Sequence, residues 1–303
     1  MATSRFAPTA SGRAHPGTLL AGLLAWLDAR RSGARLILRI EDIDRERCTP
    51  ALAAALIGDL DWFGLDFDAV ERQSEHAADH LAALERLAAL GRLYPSTMSR
   101  RQVTALGRRA PDGGWAYDNS ERDTPLPDDW RSADIALRVR LPEGRVAPVD
   151  EGGVDLEQNP AQSFGDPVVR TRSGGATYHL AVVVDDHHAG VDRIVRGRDL
   201  ATASATQAAL RRLLGWPDPV YRHHLLVLES DASGKLAKSH GSISGDELRQ
   251  ITPERLCGEL ARLAGLADTS APCRPRDLLD GFCWQRISPA DAVWDHTKLR
   301  DSP

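Results

Sequence analysis

Hydrophobic positions in the first 90 residues follow two different periods. Short apolar runs at residues 4–7 and 35–40 predict buried strands. Apolar residues recur at helical spacing over about 17–31, from Pro50 to about 63, and over about 75–90, which predicts amphipathic helices. The order strand, helix, strand, helix is typical of a parallel sheet with crossover helices, so we expect an α/β fold.

The pattern changes between about residues 91 and 168, where Pro, Gly, Asp and Arg are frequent and periodic segments are few. We interpret this stretch as an insertion with a small α+β fold of its own, around a strand near residues 135–141. Residues 177–184 (TYHLAVVV) then form a continuous apolar run, which is typical of a central parallel strand.

Further along the chain, the pattern predicts a helix at about 199–214 and a strand near 225–228. The last sixty residues are predicted to be helical, with 247–263 as the clearest helix. These changes together predict four parts. Residues 1–90 and 169–240 form the two halves of a catalytic domain, 91–168 form the insertion between them, and 241–303 form the helical C-terminal region. We expect no large further domain after them.

Composition narrows the class of protein only moderately. The chain has 303 residues, 42% of them hydrophobic, and no apolar run approaches the roughly 20 residues that span a bilayer. We therefore expect a cytoplasmic protein that does not bind membranes. We also expect a monomer, although composition does not bear on the oligomeric state. The net charge of −5 counts slightly against nucleic-acid binding, although a basic stripe on one face would permit it. The cysteines are scattered without a C-x-x-C pair, so neither a zinc ribbon nor a disulfide framework is indicated.

The turn at residues 8–18 lies between the first strand and the first helix. Free N–H groups and the positive end of the helix dipole would favour a phosphate there. His15 is a candidate donor to phosphate oxygen, and Gly17 next to Thr18 permits a close approach of a nucleotide. The alternative is an ordinary capped helix with a chance histidine.

A second candidate site is the segment GKLAKS, which holds Lys235 and Lys238. Two lysines in a glycine-flanked segment are suited to neutralising phosphate charge in phosphoryl chemistry. An isolated K-x-x-K is usually a solvated loop, but lysine occurs elsewhere only at Lys298, which favours a function.

Charged residues near the predicted strand ends form a third group. Glu41 follows the second strand, where a carboxylate would suit an ammonium group, or would merely cap a turn. Arg5 and Arg196 are candidates for carboxylate recognition. Asp185, Asp186 and two following histidines suggest either a metal site or, by preference, a turn after a strand.

The order of these motifs is more specific than any one of them. The chain contains R-F-A-P-T-A-S-G-x-x-H-P-G-T, then L-R-I-E-D-I-D, then Y-H-L-A-V-V-V-D-D-H-x-x-G-V-x-x-I-V-R-G-R-D-L, and then K-L-A-K-S. This succession resembles the catalytic core of class I glutamyl-tRNA synthetases. More narrowly, it is similar to the glutamyl-queuosine tRNA(Asp) synthetases, which are paralogues without the anticodon-binding domain. The similarity covers roughly residues 4–245 and continues more weakly to the end.

The resemblance implies a Rossmann-like fold, a helical C-terminal stem-contact region and a set of site residues. It implies His15 and Lys238 as catalytic residues. The ATP site would use His15, Gly17, Thr18, Lys235 and Lys238. The L-glutamate pocket would be built from Arg5, Phe6, Ala7, Pro8, Thr9, Glu41, Tyr178 and Arg196. ATP would be a co-substrate with Mg²⁺, and the partner would be a tRNA(Asp) that contains queuosine.

The chain departs from the family pattern in three places. Thr9-Ala10-Ser11 replaces a more usual S-P-S/T, and Ala237 replaces a serine of the lysine loop, which would weaken one phosphate contact. Many members also carry a C-x-C…Y-x-x-x-C zinc site in the insertion. The corresponding positions here are Ser96, Met98, Tyr117 and Glu121. We therefore expect no zinc.

The resemblance implies activation of L-glutamate with ATP and transfer to queuosine in the anticodon of tRNA(Asp). Three alternatives stay open. The first is a truncated glutamyl-tRNA synthetase that charges the 3′ end of tRNA(Glu), which the expected lack of a C-terminal domain disfavours. The second is a nucleotidylyltransferase, disfavoured by Thr18 in place of the second histidine of H-x-G-H. The third is a non-catalytic tRNA-binding paralogue, disfavoured by the retained His15, Lys238, Glu41 and Arg196.

Overall fold

The computed structural model describes residues 1–229 and 248–295. Its strands are β1 (Thr3–Phe6), β2 (Arg35–Ile40), β3 (Ala69–Arg72), β4 (Leu93–Ser96), β5 (Ala136–Val139), β6 (Val168–Arg170), β7 (Arg193–Gly197), β8 (Val220–His224), β9 (Val227–Glu229) and β10 (Ala292–Trp294). Its α-helices are α1 (Pro16–Ser32), α2 (Pro50–Phe63), α3 (Ala77–Ala89), α4 (Arg100–Ala105), α5 (Pro160–Ser163), α6 (Tyr178–His188), α7 (Ser204–Leu213) and α8 (Pro253–Leu263). Short 3₁₀ helices occupy Gln73–Glu75, Arg198–Ala203, Pro275–Leu278 and Trp284–Arg286.

The chain divides into two compact units. The first contains residues 1–72, 193–198 and 221–303, and the second contains 73–192 and 199–220. The four parts predicted from the sequence stay a proposal.

A five-stranded sheet forms the centre of the first unit, in the order β3-β2-β1-β7-β8. β1 runs parallel to both β2 and β7, and β2 runs parallel to β3. The order therefore reverses between β1 and β7, as it does in doubly wound folds. The α/β fold with a parallel sheet that the sequence predicts is confirmed.

Helix α1 packs on this sheet, and its ends follow from local chemistry. His15 is the N-cap, Pro16 occupies the first turn, and Gly33 closes the helix in the left-handed region at φ 66°. Leu19 and Leu23 of the helix are buried in the core of this unit. The helix thus directs its N-terminus to the same edge of the sheet as the carboxyl end of β1, because β1 leads directly into it.

The second unit contains a three-stranded antiparallel sheet in the order β4-β5-β6. β5 lies where the sequence predicts the strand of the insertion. Helices α3, α6 and α7 pack together in the same unit, around buried leucine, valine and alanine side chains.

The interpretation of residues 177–184 as a central strand is wrong, because these residues begin helix α6. Every residue from Leu180 to Asp186 is buried. A helix buried on all sides needs no polar face, so it has the same continuous apolar pattern as a central strand. The parallel strand of the sheet is instead β7, which follows the helix.

Two predictions for the last third of the chain are also corrected. Residues 225–228 do not form a single strand. β8 ends at His224, and β9 begins at Val227 and pairs with β10. Beyond α8, the described residues to 295 form 3₁₀ turns and β10 rather than helices. Prolines at 272, 275 and 289 interrupt helical hydrogen bonding there.

Within the ranges 1–229 and 248–295, no helix has the length and apolar character needed to cross a membrane.

Candidate active site

The candidate site lies at the carboxyl edge of the sheet in the first unit. In open α/β sheets, ligands bind beyond the carboxyl ends of the strands at the point where the strand order reverses. Here that point is between β1 and β7. The residues that follow β1, the residue that follows β2 and the end of β7 therefore meet at the place where the fold favours a ligand.

Thr9 and Glu41 are brought together at this edge. The two residues form an isolated parallel bridge, in which the Ala10 amide donates to the Glu41 carbonyl oxygen at 3.2 Å. The Thr9 hydroxyl also donates to Glu41 Oε2 at 3.4 Å. The chain after β1 is thus fixed beside the Glu41 carboxylate, and the roles of Thr9 and Glu41 toward glutamate stay predictions.

Arg196 lies near the end of β7, on the other side of β1. Ser4 pairs with Arg193, so a continued register brings Arg196 level with the residues just beyond β1. Its guanidinium is held by aromatic groups of β8: Nε donates to His223 Nε2 at 3.1 Å, and the Tyr221 ring centroid is 5.0 Å from Cζ. Arg196 is only 5% exposed, which makes it a rigid cation at the sheet edge.

His15 serves as the N-cap of α1, with its Nδ1 accepting a hydrogen bond from the Thr18 amide at 3.3 Å. A neutral ring with Nδ1 as acceptor carries its proton on Nε2, which makes Nε2 a donor. A Cβ at Gly17 would lie 3.1 Å from the His15 ring, so any larger residue there would push the ring by a few tenths of an ångström. Capping therefore orients His15 and does not compete with phosphate donation from its other nitrogen.

Asp59 of α2 anchors the turn before His15. Its carboxylate accepts hydrogen bonds from Arg13 Nη2 at 2.6 Å and from the Ala14 amide at 3.0 Å. Arg249 Nη2 donates to the same carboxylate at 2.9 Å. Burial acts to raise the pKa of Asp59, but the hydrogen bonds from Arg13, Arg249 and Ala14 outweigh it and hold this pKa below its ordinary value.

Sequence reasoning did not identify Asp59, although a signal was present. The residue lies on the inward face of α2 among Leu56, Leu60 and Phe63, and it is 3% exposed. A carboxylate at a core position of an amphipathic helix implies buried cationic partners. The identity of those partners depends on tertiary contacts and was not readable from spacing.

The other predicted pocket residues have different surroundings. Arg5 is buried in β1. Phe6 packs against Phe67 in the core with ring centroids 6.4 Å apart, so any ligand contact would come from its backbone. Ala7 and Pro8 continue from β1 to the bridge at Thr9. Tyr178 is the first residue of α6 and belongs to the second unit.

Lys235, Ala237 and Lys238 fall within residues 230–247, which lie outside the described residues. Their predicted roles toward ATP stay predictions. Asp59 nevertheless connects the turn before His15 with Arg249, which follows that stretch closely in the sequence.

The four positions that correspond to a zinc site form a hydrogen-bonded cluster in the second unit. Glu121 accepts from the Ser96 hydroxyl and the Thr97 amide, each at 2.8 Å, and from the Tyr117 hydroxyl at 3.3 Å. Ser96 accepts in turn from Arg138 Nε at 2.9 Å. The Met98 sulfur accepts from a neighbouring serine, Ser120, at 3.8 Å.

These residues do not fit a zinc ion. A structural zinc site needs four strong ligands, usually thiolates and imidazoles, whereas this set offers one carboxylate with a hydroxyl, a phenol and a thioether. Both oxygens of that carboxylate already accept hydrogen bonds. Burial acts to raise the pKa of Glu121, but the hydrogen bonds from Thr97, Ser96 and Tyr117 outweigh it and lower this pKa.

Asp185 and Asp186 form neither a metal site nor a turn after a strand. Both are buried at the end of α6. Asp185 accepts from Gln73 Nε2 at 2.7 Å and lies 2.7 Å from His80 Nε2, which ties α6 to α3. Among the described residues, no group of three or more His, Cys, Asp or Glu side chains is arranged to hold a metal.

Comparison with known proteins gives a consistent result. Residues 1–257 match the family model of the class I tRNA synthetases (E and Q), catalytic domain. The chain is 42% identical to a glutamyl-Q tRNA(Asp) synthetase of Symbiobacterium thermophilum, over 95% of this chain and 94% of that protein. It is 33% identical to a glutamate–tRNA ligase of Chelativorans sp., over 98% of this chain but 63% of that protein.

The fold is similar to that of a solved glutamate tRNA ligase from Elizabethkingia meningosepticum, with a TM-score of 0.81 at 23% identity. The match covers 98% of this chain and 68% of the other.

Proposed function

The chain belongs to the class I tRNA synthetases (E and Q), and we propose that it activates L-glutamate with ATP and transfers the glutamyl group to queuosine in the anticodon of tRNA(Asp). As a member of this family it is a ligase of the aminoacyl-tRNA synthetase type. The observation that carries the proposal is the contact of Thr9 with Glu41 at the carboxyl edge of the sheet, where β7 also ends near Arg196 and α1 begins next to His15.

In the first step, an α-carboxylate oxygen of glutamate attacks the α-phosphorus of ATP. The bond from phosphorus to the bridging oxygen breaks, pyrophosphate leaves, and glutamyl-adenylate remains. No covalent enzyme nucleophile is required, so the protein contributes position and charge neutralisation. The proposal assigns Arg196 to a substrate carboxylate and Glu41 to the substrate ammonium group, because each is the complementary charge at this edge.

His15 is assigned to a phosphate oxygen of ATP, through the Nε2–H that its capping bond favours. Lys235 and Lys238 would neutralise the departing pyrophosphate, as in the family's lysine loop. Mg²⁺ would accompany ATP as a co-substrate and would supply neutralisation of its phosphate charge.

In the second step, a hydroxyl of the acceptor attacks the mixed anhydride and releases AMP. Queuosine carries ring hydroxyls that can take the part of a ribose diol, and unstacked anticodon bases are usual targets of RNA recognition. Support for this acceptor comes from the glutamyl-Q tRNA(Asp) synthetase of Symbiobacterium thermophilum, which matches this chain over nearly its whole length.

A second candidate acceptor is the 3′ end of tRNA(Glu). It is favoured by the 33% identity to a glutamate–tRNA ligase that extends over 98% of this chain. The two candidates share glutamyl-adenylate formation and differ only in the second step.

The first test is ATP–pyrophosphate exchange with each of the twenty amino acids, without tRNA. We expect exchange with glutamate, and stronger exchange with any other amino acid would contradict the proposal. Arg196→Gln should lower exchange on the order of 10²-fold, as loss of a charged contact in a buried site does. Arg198→Gln is the matched control, because Arg198 pairs with Asp291 and is not assigned to the substrate.

The second test offers labelled glutamate to tRNA(Asp) with queuosine, to the same tRNA with unmodified guanosine, and to tRNA(Glu). Label only on the first supports the proposed acceptor. Label on tRNA(Glu) would transfer the assignment to the second candidate.

A further inference from the structure

Two cysteines of the first unit lie side by side, and neither belongs to the residues assigned to the candidate active site. Cys257 is buried on α8, and Cys273 is partly exposed in the segment that follows this helix. Their sulfurs are 3.8 Å apart, and neither forms a disulfide. A disulfide bond would require the two sulfurs to approach to roughly 2.05 Å.

The backbone around this pair is held tightly. The Cys273 amide donates to the carbonyl oxygen of Glu254 in the first turn of α8, at 3.0 Å. One turn further along, Gly258 allows the segment to pass over the helix, because a Cβ there would lie 2.2 Å from the Ala271 carbonyl oxygen. The proximity of the two sulfurs is therefore a property of the fold and not of a loose loop.

A surface cavity of about 200 Å³ opens beside Cys273. Trp62 of α2 lines it, together with Arg274, Arg276 and Glu254. Arg274 is 3.4 Å from the Glu254 carboxylate. The cavity lining thus combines a partly exposed thiol with two arginines, one of which already pairs with Glu254, and the remaining positive charge suits a small thiol compound that carries carboxylates.

The two thiols differ in acidity. The contact with the Cys257 sulfur lowers the pKa of Cys273, although burial and Asp277 act against this. The same contact and burial raise the pKa of Cys257. Cys273 is therefore the thiol that ionises first, and it is also the one that lines the cavity.

We propose that Cys257 and Cys273 form a redox-active dithiol that reacts with small, carboxylate-bearing disulfides, with Cys273 as the attacking thiol and Cys257 as the resolving thiol. The Cys273 thiolate attacks one sulfur of the small disulfide, forms a mixed disulfide and expels one thiolate. Cys257 then loses its proton, attacks the Cys273 sulfur and expels the second thiolate. The two cysteines lose two electrons in total, the small disulfide gains them, and the two protons end on the two released thiols.

The test uses the reduced full-length chain under native conditions with oxidised glutathione, followed by acid quenching and peptide mapping by mass spectrometry. We expect a Cys257–Cys273 disulfide in the wild type, with little retained glutathione. Cys257→Ser should instead accumulate one glutathione on Cys273, and Cys273→Ser should form neither product. Cys257→Ala provides a second resolving variant if the serine is poorly tolerated at its buried position.

Cys283 is the matched control, since it is partly exposed like Cys273 but is not paired with another cysteine sulfur among the described residues. Cys283→Ser should behave as the wild type, and Cys273 should react about tenfold or more faster than Cys283. Equal rates at the two sites, or a Cys257→Ser chain without an adduct on Cys273, would overturn the proposal. None of these readouts depends on glutamate activation, so they are independent of the proposed function.

Discussion

A single buried carboxylate, Asp59, organises the approach to the candidate active site. It accepts hydrogen bonds from Arg13 and from the Ala14 amide, the two residues that directly precede His15. It also holds Arg249. The position of His15 at the N-terminus of α1 therefore depends on Asp59, which belongs to α2.

We predict that Asp59→Asn lowers glutamate-dependent pyrophosphate exchange on the order of tenfold, since a small misplacement of an aligned group is costly in catalysis. The free energy of unfolding should fall by about 1–3 kcal/mol, because donors of Arg13 and Arg249 lose a charged acceptor. Kinetics and denaturant unfolding measure the two effects. Asp61→Asn, exposed on the same helix, is the control, and wild-type exchange in the Asp59 variant would reduce Asp59 to a structural role.

The lowered pKa of Asp59 also gives a pH dependence with a definite sign. A carboxyl group whose pKa is lower in the folded state stabilises the fold fully above its unfolded pKa. That stabilisation is lost as the pH falls below the ordinary value of 3.8 and through the lowered folded pKa. The difference in the free energy of unfolding between the wild type and Asp59→Asn should therefore become smaller when unfolding is measured at lower pH.

At the same scale, Lys238→Ala should cut adenylation roughly 10²–10³-fold while glutamate binding changes little, because a contact to the departing phosphates acts in the transition state. Pre-steady-state kinetics measures the rate of adenylation, and titration with glutamate measures its affinity. Lys298→Ala replaces a lysine outside the motif and should leave the rate of adenylation unchanged. An unchanged rate for Lys238→Ala would show that the lysine segment is a solvated loop.

At the scale of elements, the insertion is held by a cluster of hydrogen bonds around one carboxylate. The carboxylate of Glu121 accepts hydrogen bonds from Ser96, Thr97 and Tyr117. Arg138 completes the cluster, with its guanidinium carbon 3.7 Å from the Tyr117 ring centroid. The hydrogen bond between Ser96 and Arg138 thus adds a side-chain connection to the backbone pairing of β4 with β5.

We predict that the purified protein contains no stoichiometric zinc and that a chelator leaves its unfolding midpoint unchanged. Serine, methionine and glutamate do not replace thiolates in a closed tetrahedral site. Elemental analysis and thermal unfolding with and without chelator test this. A ratio of about one zinc per chain would contradict the interpretation of the cluster.

Elements and site were predictable from the sequence to different degrees. Helices α1 and α2 were predictable because each begins at a proline and is too long for a typical strand, and α3 because its apolar residues recur at helical spacing. Helix α6 was not, since burial on all sides removes the polar face that distinguishes a helix from a central strand. Motif order indicated Thr9, Glu41 and Arg196, whereas Asp59 and the Glu121 cluster depend on partners far away in the chain, which local spacing does not encode.

At the scale of the whole molecule, charge decides how the protein meets RNA. Acidic residues outnumber basic ones, 43 to 38, and all but three of the basic residues are arginines. Net repulsion of a polyanion then has to be overcome locally, by arginine contacts with phosphates. Such contacts are sensitive to salt because binding releases counterions.

We predict that kcat/KM for transfer to tRNA falls steeply as the salt concentration rises, whereas the rate of pyrophosphate exchange without tRNA changes much less. The affinity for tRNA should fall with a log–log slope of about −0.7 to −0.9 for each phosphate contact. The measurement is a titration of kcat/KM for tRNA against potassium chloride, with exchange as the internal control. Parallel losses in both reactions would indicate a general effect on the protein instead.

The order of strands in the central sheet has a consequence for synthesis on the ribosome. β1 needs β7 as its neighbour, yet about 120 residues separate β3 from β7 in the chain. At roughly 5–20 residues per second, the growing chain would wait about 6–24 seconds before that neighbour is made. During this time one edge of β1 is unpaired, which is the condition under which nascent chains associate wrongly or recruit chaperones.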